Sequence, residues 1–283
     1  MQSEKKIRND IPYKKERLVR VIVQFRNGST SAGTGFFINS SGELLTCFHV
    51  ISAMELRNFR IQKSQNINSP TLTNVSSSSL SEHDKIKNSL ETSIMRIEVE
   101  LHDGVRKIAT LTKFNETYDV CLLKIEQTDS GNNFPFFELD TSYMPEYDES
   151  TFFCGFQMTG GYNDPTMYPF STNRAVVSAF PNIEVAGDKY NHIQLNSINL
   201  GGNSGAPLFT EGSNTVIGII NGNMSWGRGD LAVVNNISVI NTDSTQNTAP
   251  ETVQSLSQGL LRVPLSIAYS TPIKLISEQT NIL

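Results

Sequence analysis

Short apolar runs rich in β-branched and aromatic residues recur along the chain, separated by turn-forming Gly, Asn, Asp and Ser. This pattern predicts strands joined by tight connections. Residues 18–25 (LVRVIVQF) alternate in part and stop at Asn27-Gly28. Residues 33–38 and 43–47 flank Asn39-Ser40-Ser41-Gly42, which predicts a hairpin. Residues 96–101 alternate, turn at Asp103-Gly104 and return over 106–111, and an apolar strand follows at 120–125. The signal restarts at 150–156 and continues through 174–179, 192–195, 216–220 and 260–269. Helix is expected only as a turn near 52–58 and a short segment at 272–279, where Pro272 sits early enough that its missing N–H costs nothing. About six short strands per half and little helix point to an all-β chain of two barrels or sandwiches.

The same pattern marks where order lapses. Residues 60–92, with the run Ser76-Ser77-Ser78-Ser79, read as a loop insertion, with regular structure resuming at Ile94. Residues 127–149 lose periodicity and read as a linker. Residues 225–257, rich in Asn, Thr and Ser, read as a second insertion. The division is then a flexible arm at 1–17, a first barrel at 18–126, the linker, and a second barrel with its terminal helix at 150–283.

Composition narrows the function classes. A net charge of −5 over 283 residues gives no general affinity for nucleic acid or anionic membrane. The arm is locally basic, with Lys5, Lys6, Arg8, Lys14, Lys15 and Arg17, and reads as a solvated segment. No apolar stretch near the start suits a signal-peptide core, because residues 18–25 are interrupted by Arg20 and Gln24. None reaches the length of a membrane span. The cysteines Cys47, Cys121 and Cys154 are odd in number and lie in apolar segments, as expected of buried free thiols in a reducing, cytoplasmic compartment.

The candidate chemistry starts at Gly201-Gly202-Asn203-Ser204-Gly205-Ala206-Pro207, a glycine-rich bend between apolar flanks. It reads either as a surface turn or as a loop presenting a nucleophile. A serine nucleophile needs a base, and the histidines are His49, His83, His102 and His192. His49 ends an apolar strand, a rigid location suited to catalysis, although a lone histidine there also suits a core or capping role. Asp119 immediately precedes the apolar strand at 120–125, so its carboxylate should be partly buried and in need of a partner, or should cap a turn. The order His49, Asp119, Ser204 is one of the known triad orders. A cysteine mechanism from Cys47, two residues before His49, and a metal site from the same pair are weaker readings, the latter for want of further ligands.

Residues 33–38 (GTGFFI) followed by Leu45-Thr46-Cys47-Phe48-His49-Val50 resemble the histidine region of trypsin-like serine proteases, and most of all the bacterial HtrA-type branch. Residues 99–104 through Asp119-Val120-Cys121-Leu122-Leu123 resemble its aspartate region, and Gly202-Asn203-Ser204-Gly205-Ala206-Pro207-Leu208 resembles its nucleophile motif. The likeness covers about residues 18–275 outside the insertions. It implies two six-stranded antiparallel β-barrels with the active site between them. It implies Ser204 as nucleophile, His49 as general base and acid, Asp119 as its orienting carboxylate, and the N–H groups of Gly202 and Ser204 as oxyanion hole. No metal or other cofactor is implied, and the partner is a protein or peptide substrate, with a regulatory protein as a further possibility; membrane and nucleic acid are not expected.

Departures shape the rest. The chain lacks the Ile-Val-Gly-Gly-like start of secreted digestive members, and Asn203 stands where those have an aspartate that receives the new amino terminus, so activation by that route is not expected. No PDZ domain is expected after Leu275. By the resemblance, Ile198, Asn199, Asn221, Gly222 and Asn223 wall the primary specificity pocket. With no Asp in 194–201 and no His beside Ile220, a small or medium uncharged substrate side chain is expected there. The expected function is a serine endopeptidase of narrow or regulated activity, the alternative a catalytically silent protease fold used for binding.

Overall fold

The computed structural model describes residues 14–52, 81–126, 133–157, 169–185, 188–197, 199–225 and 264–283. Strands β1 (Leu18–Phe25), β2 (Thr30–Phe37) and β3 (Glu43–Thr46) run antiparallel. The asparagines of their turns fold the chain back with their own side chains: Asn27 Oδ1 accepts from Ser29 N at 2.9 Å, and Asn39 Oδ1 accepts from Ser41 N and Glu43 N, each at 3.1 Å. After a short helix α1 (Phe48–Ser52) and a longer one, α2 (Glu82–Ser93), come β4 (Ile94–Glu100), β5 (Arg106–Asn115) and β6 (Val120–Ile125). Strand β4 pairs with both β1 and β5, so the order β1-β2-β3-β6-β5-β4 closes into a barrel. Arg20 and Arg106 both reach Glu100 across the outside of this seam, at 2.7 and 2.9 Å.

The second barrel is built from β7 (Ser150–Phe156), β8 (Phe170–Ala179), β11 (Ile193–Leu195), β12 (Pro207–Thr210), β13 (Val216–Ser225) and β14 (Pro264–Pro272). It closes in the order β11-β14-β13-β12-β7-β8. A separate hairpin, β9 (Asn182–Val185) with β10 (Asp188–Asn191), lies between β8 and β11. Helix α3 (Ile273–Gln279) follows β14 directly, with Pro272 at its N-cap, and buries Ile273 and Ile276. The all-β architecture of two six-stranded barrels and a short terminal helix is therefore as expected.

Three local features differ from the sequence pattern. Regular structure resumes at Ser81, inside the segment read as a loop. Ser81 Oγ accepts from Asp84 N at 3.1 Å as an N-cap, and Ile86 and Leu90, four apart, bury the inner face of α2. Two apolar residues in a polar helix gave too little periodicity to read. The first helix begins at Phe48 rather than Ser52, and residues 53–58 lie outside the described set, as do 60–80 and most of the second insertion. The hairpin β9–β10 had no counterpart in the pattern. Residues 1–13 of the arm are likewise outside the description, but Lys14 is buried, with Nζ 4.0 Å above the Phe152 ring and 4.5 Å above that of Phe209.

The described part of the linker has no strand, yet it ties the barrels together. Phe134 stacks on Phe37 of β2 with centroids 4.7 Å apart, while Phe137 packs edge-on against Phe36 of β2 and Phe209 of β12. Buried aromatics of this size carry much of the apolar area that joins the two halves.

Candidate active site

His49 is the exposed residue of α1: Phe48, Val50, Ile51 and Ser52 around it are all buried. The ring of Phe48 stacks on Phe114 at 4.8 Å, and Phe114 in turn stacks on His83 of α2 at 4.3 Å. This column anchors one side of α1 and leaves the His49 side chain facing outward, 46% exposed.

Asp119 ends the turn between β5 and β6. Asn115 Oδ1 starts that turn, accepting from Thr117 N and Tyr118 N at 3.1 and 3.0 Å. Asp119 closes it at φ 54°, the left-handed region favoured by glycine and, among other residues, by asparagine and aspartate. The unusual backbone places three acceptors around α1. The Asp119 carbonyl accepts from Phe48 N at 3.2 Å, Oδ1 accepts from His49 N at 2.8 Å, and Oδ2 lies 2.7 Å from His49 Nδ1. A carboxylate only accepts, so Nδ1 carries the hydrogen, and the neutral ring keeps its lone pair on Nε2. An imidazole held this way has the tautomer and orientation that a general base needs.

Ser204 is the second residue of the latter of two successive turns that share Asn203. Asn203 N donates to Leu200 O at 3.3 Å around Gly202, whose φ is 91°; Ala206 N donates to Asn203 O at 2.8 Å around Gly205, whose φ is 90°. Each turn has its positive φ at the third position, where glycine is required. Among the described residues, neither Gly202 N nor Ser204 N donates a hydrogen bond to another group.

The first barrel grips this loop through Thr34. Thr34 N donates to Ser204 O at 2.8 Å, Thr34 Oγ1 donates to Gly202 O at 2.7 Å, and that hydroxyl accepts from Phe156 N at 2.9 Å. Thr46 Oγ1 completes the chain by donating to Thr34 O at 2.7 Å. Space is equally tight: a Cβ on Gly205 would lie 2.0 Å from Thr34 O and 3.1 Å from Cys47 N. The Ser204 turn thus rests against the segment that leads into His49.

Other sequence candidates fall as follows. Ile198 lies outside the described residues. Asn199 is buried, and Asn221 is partly buried with its amide donating to Thr271 Oγ1 at 2.6 Å. Gly222 and Asn223 lie on β13, opposite Tyr269 and Ala268. His102 is at an exposed turn, and His192 is buried just before β11.

A cysteine nucleophile fares poorly, and Asp119 joins Cys47 and His49 as a third group of metal-ligand type. Donor atoms of Cys47, His49 and Asp119 lie within 4.8 Å of one another. Burial above all, with the Asp119 charge second, pushes the Cys47 thiol well above its ordinary range. It stays protonated, donating to Ile220 O at 3.2 Å, while the His49–Asp119 pair is already closed. Cys121 and Cys154 are also buried free thiols raised by burial, Cys154 to about 12.

Sequence reasoning missed two contributors, Thr34 and Thr271, and the full burial of the Asn203 carboxamide, whose two polar atoms have no hydrogen-bond partner. Only Asn203 carried a signal, its place beside Ser204.

Among the described residues, no helix is long and apolar enough to cross a membrane. The profile of the trypsin-like peptidase domain matches residues 33–219, and a comparison with curated proteins finds no match. Among solved structures, the HtrA-type protease AlgW with a tripeptide is similar with a TM-score of 0.57 and 16% identity, over 96% of this chain. This chain covers 61% of that one, less than two thirds of its length. Deg5 is similar with a TM-score of 0.53 and 20% identity, over 78% of this chain and 87% of its own. Both likenesses are of fold, and both are to the double barrel described above. The domain match extends from β2, past the His49–Asp119 pair and the Ser204 turn, into β13, and on that match the chain belongs to the trypsin-like peptidase family.

Proposed function

We propose that this protein is a serine endopeptidase in which Ser204, His49 and Asp119 act as a catalytic triad. The observation that carries the reading is the two-point hold of Asp119 on His49, through backbone N and Nδ1, at 2.8 and 2.7 Å. It fixes the tautomer that leaves Nε2 able to take a proton.

In the reaction, Nε2 of His49 accepts the Ser204 hydroxyl proton as Oγ attacks the scissile carbonyl. The N–H groups of Gly202 and Ser204 receive the developing oxyanion, a contribution typically worth about 10²–10³ in turnover per donor. His49 returns the proton to the leaving amine, and water attacks the acyl-enzyme by the same route in reverse. Asp119 stays ionised and balances the imidazolium. Substrates with a small or medium uncharged side chain at the primary site, narrow or gated activity, and a cytoplasmic location complete the reading; the three buried free thiols support the last.

A fluorophosphonate probe tests it. Labelling of Ser204 in the full chain, absent from Ser204→Ala, is the expected result. An intact protein that is not labelled and releases no product from a peptide library would replace this reading with that of a binding module.

A further inference from the structure

Asp119 sits at φ 54°, a left-handed backbone that aspartate adopts more readily than most residues and that its surroundings hold in place here. Part of that hold comes from its own barrel, through Asn115 and α1. The rest comes from the other barrel. Thr271 Oγ1 on β14 donates to the carbonyl of Tyr118 at 3.2 Å, one residue before Asp119, and accepts from Asn221 Nδ2 at 2.6 Å. Thr271 is buried. A hydroxyl has one proton, so the amide donor on one side obliges it to donate on the other.

Asn221 reaches Thr271 because β13 is irregular there. Ile220 pairs with Ser270 and Gly222 with Tyr269, so Asn221 is the extra residue of a β-bulge. A bulge re-aims the side chain of its extra residue.

We propose that Asn221 and Thr271 are positioning residues for the Asp119–His49 pair: the β13 bulge aims the Asn221 amide at the Thr271 hydroxyl, which fastens the left-handed Tyr118–Asp119 turn from the opposite barrel. This rests on the triad reading above. It also gives Asn221 a role distinct from contacting substrate: its amide serves the acid through Thr271.

The test compares wild type with Thr271→Val, Thr271→Ser and Asn221→Ala as full chains, checked for folding by circular dichroism. Two quantities are read: kcat and KM on a peptide substrate, and the downfield proton resonance of His49 Nδ1–H. In Thr271→Val and Asn221→Ala, kcat falls by about 10–100-fold, as expected for a slightly misplaced catalytic group. KM changes by less than about threefold, because ground-state binding is untouched. The resonance shifts or broadens, and Thr271→Ser restores both readouts. A folded Thr271→Val variant with wild-type kcat and an unmoved resonance would overturn the proposal. So would a loss confined to KM in Asn221→Ala, which would make it a substrate contact. Should wild type prove inert toward the fluorophosphonate, the peptidase reading fails separately; the resonance needs no turnover and still decides whether Thr271 places the pair. If Thr271→Val does not fold, Asn221→Ala carries the same comparison.

Discussion

Thr34 and Gly202, 168 residues apart, are joined by a hydrogen bond of 2.7 Å from the threonine hydroxyl to the glycine carbonyl. The same hydroxyl accepts from Phe156 N, so one side chain of the first barrel organises two backbone segments of the second. Replacing it by the isosteric valine leaves a buried carbonyl and a buried N–H unmatched. At about 1–3 kcal/mol for each, Thr34→Val should lose about 2–6 kcal/mol of stability, with Thr34→Ser keeping most of it. Denaturant midpoints of the three proteins check this, and fluorophosphonate labelling should slow in the valine variant as the Ser204 loop loosens.

Gly205 has no room for a side chain. A methyl group would meet Thr34 O at 2.0 Å while the residue sits at φ 90°. Gly205→Ala is expected to lose more than about 4 kcal/mol, enough to abolish soluble folded protein. Gly212, also at positive φ but with nothing within 4 Å of its Cβ position, provides the control. Gly212→Ala pays only the backbone penalty of about 1–2 kcal/mol and should remain folded in a thermal melt.

Asn203 buries a carboxamide with neither atom bonded. Replacing an unsatisfied polar group by an apolar one of similar shape is close to neutral or stabilising. Asn203→Leu should therefore match or exceed the wild-type melting temperature. Asn203→Asp should lower it, because a carboxylate there would be ionised without a partner or protonated at a cost. A fall for leucine and not for aspartate would mean that the carboxamide is bonded in solution.

His192 is held below its ordinary range, chiefly by burial, with the Asp119 charge opposing the shift. Its folded-state affinity for a proton is thus lower than that of the unfolded chain, which begins to take one up near pH 6.5. The unfolded state then binds more protons, so stability is full above that pH and declines as pH falls toward the depressed folded value. The melting temperature should drop as pH falls below about 6.5, and His192→Gln should flatten that part of the curve.

The three thiols make a fifth, independent check on packing. Cys47, Cys121 and Cys154 are buried and protonated. Iodoacetamide should leave all three unmodified in native protein and alkylate them in denaturant, as followed by mass spectrometry.

How much of this was legible beforehand depends on the range of the interactions. Strands announced themselves through local alternation, and the His49, Asp119 and Ser204 candidates through motifs spanning a few residues each. The helix α2 did not, because its inner face rests on Ile86 and Leu90 alone and its start depends on one serine hydroxyl. The hold of Thr34 on Gly202 and of Thr271 on Tyr118 was invisible for a different reason. These are single hydrogen bonds between residues 168 and 153 positions apart, and threonine at a strand position has no feature that marks it out. The left-handed backbone at Asp119 was equally hidden, since aspartate is common in turns of every type.

The strand that fastens the acid's turn is the last one in the chain. His49 and Asp119 belong to a barrel complete by Ile125, and an N-terminal unit folds first as a chain leaves the ribosome. Yet Thr271 lies near the end of β14, the strand that closes the second barrel against β11 and β13. On the triad proposed above, half-made chains carry its acid and base without its nucleophile. Chains that have just gained Ser204 still lack the clasp on Asp119. The hydrogen bond that fastens the turn before Asp119 is therefore completed only once the polypeptide has passed residue 271.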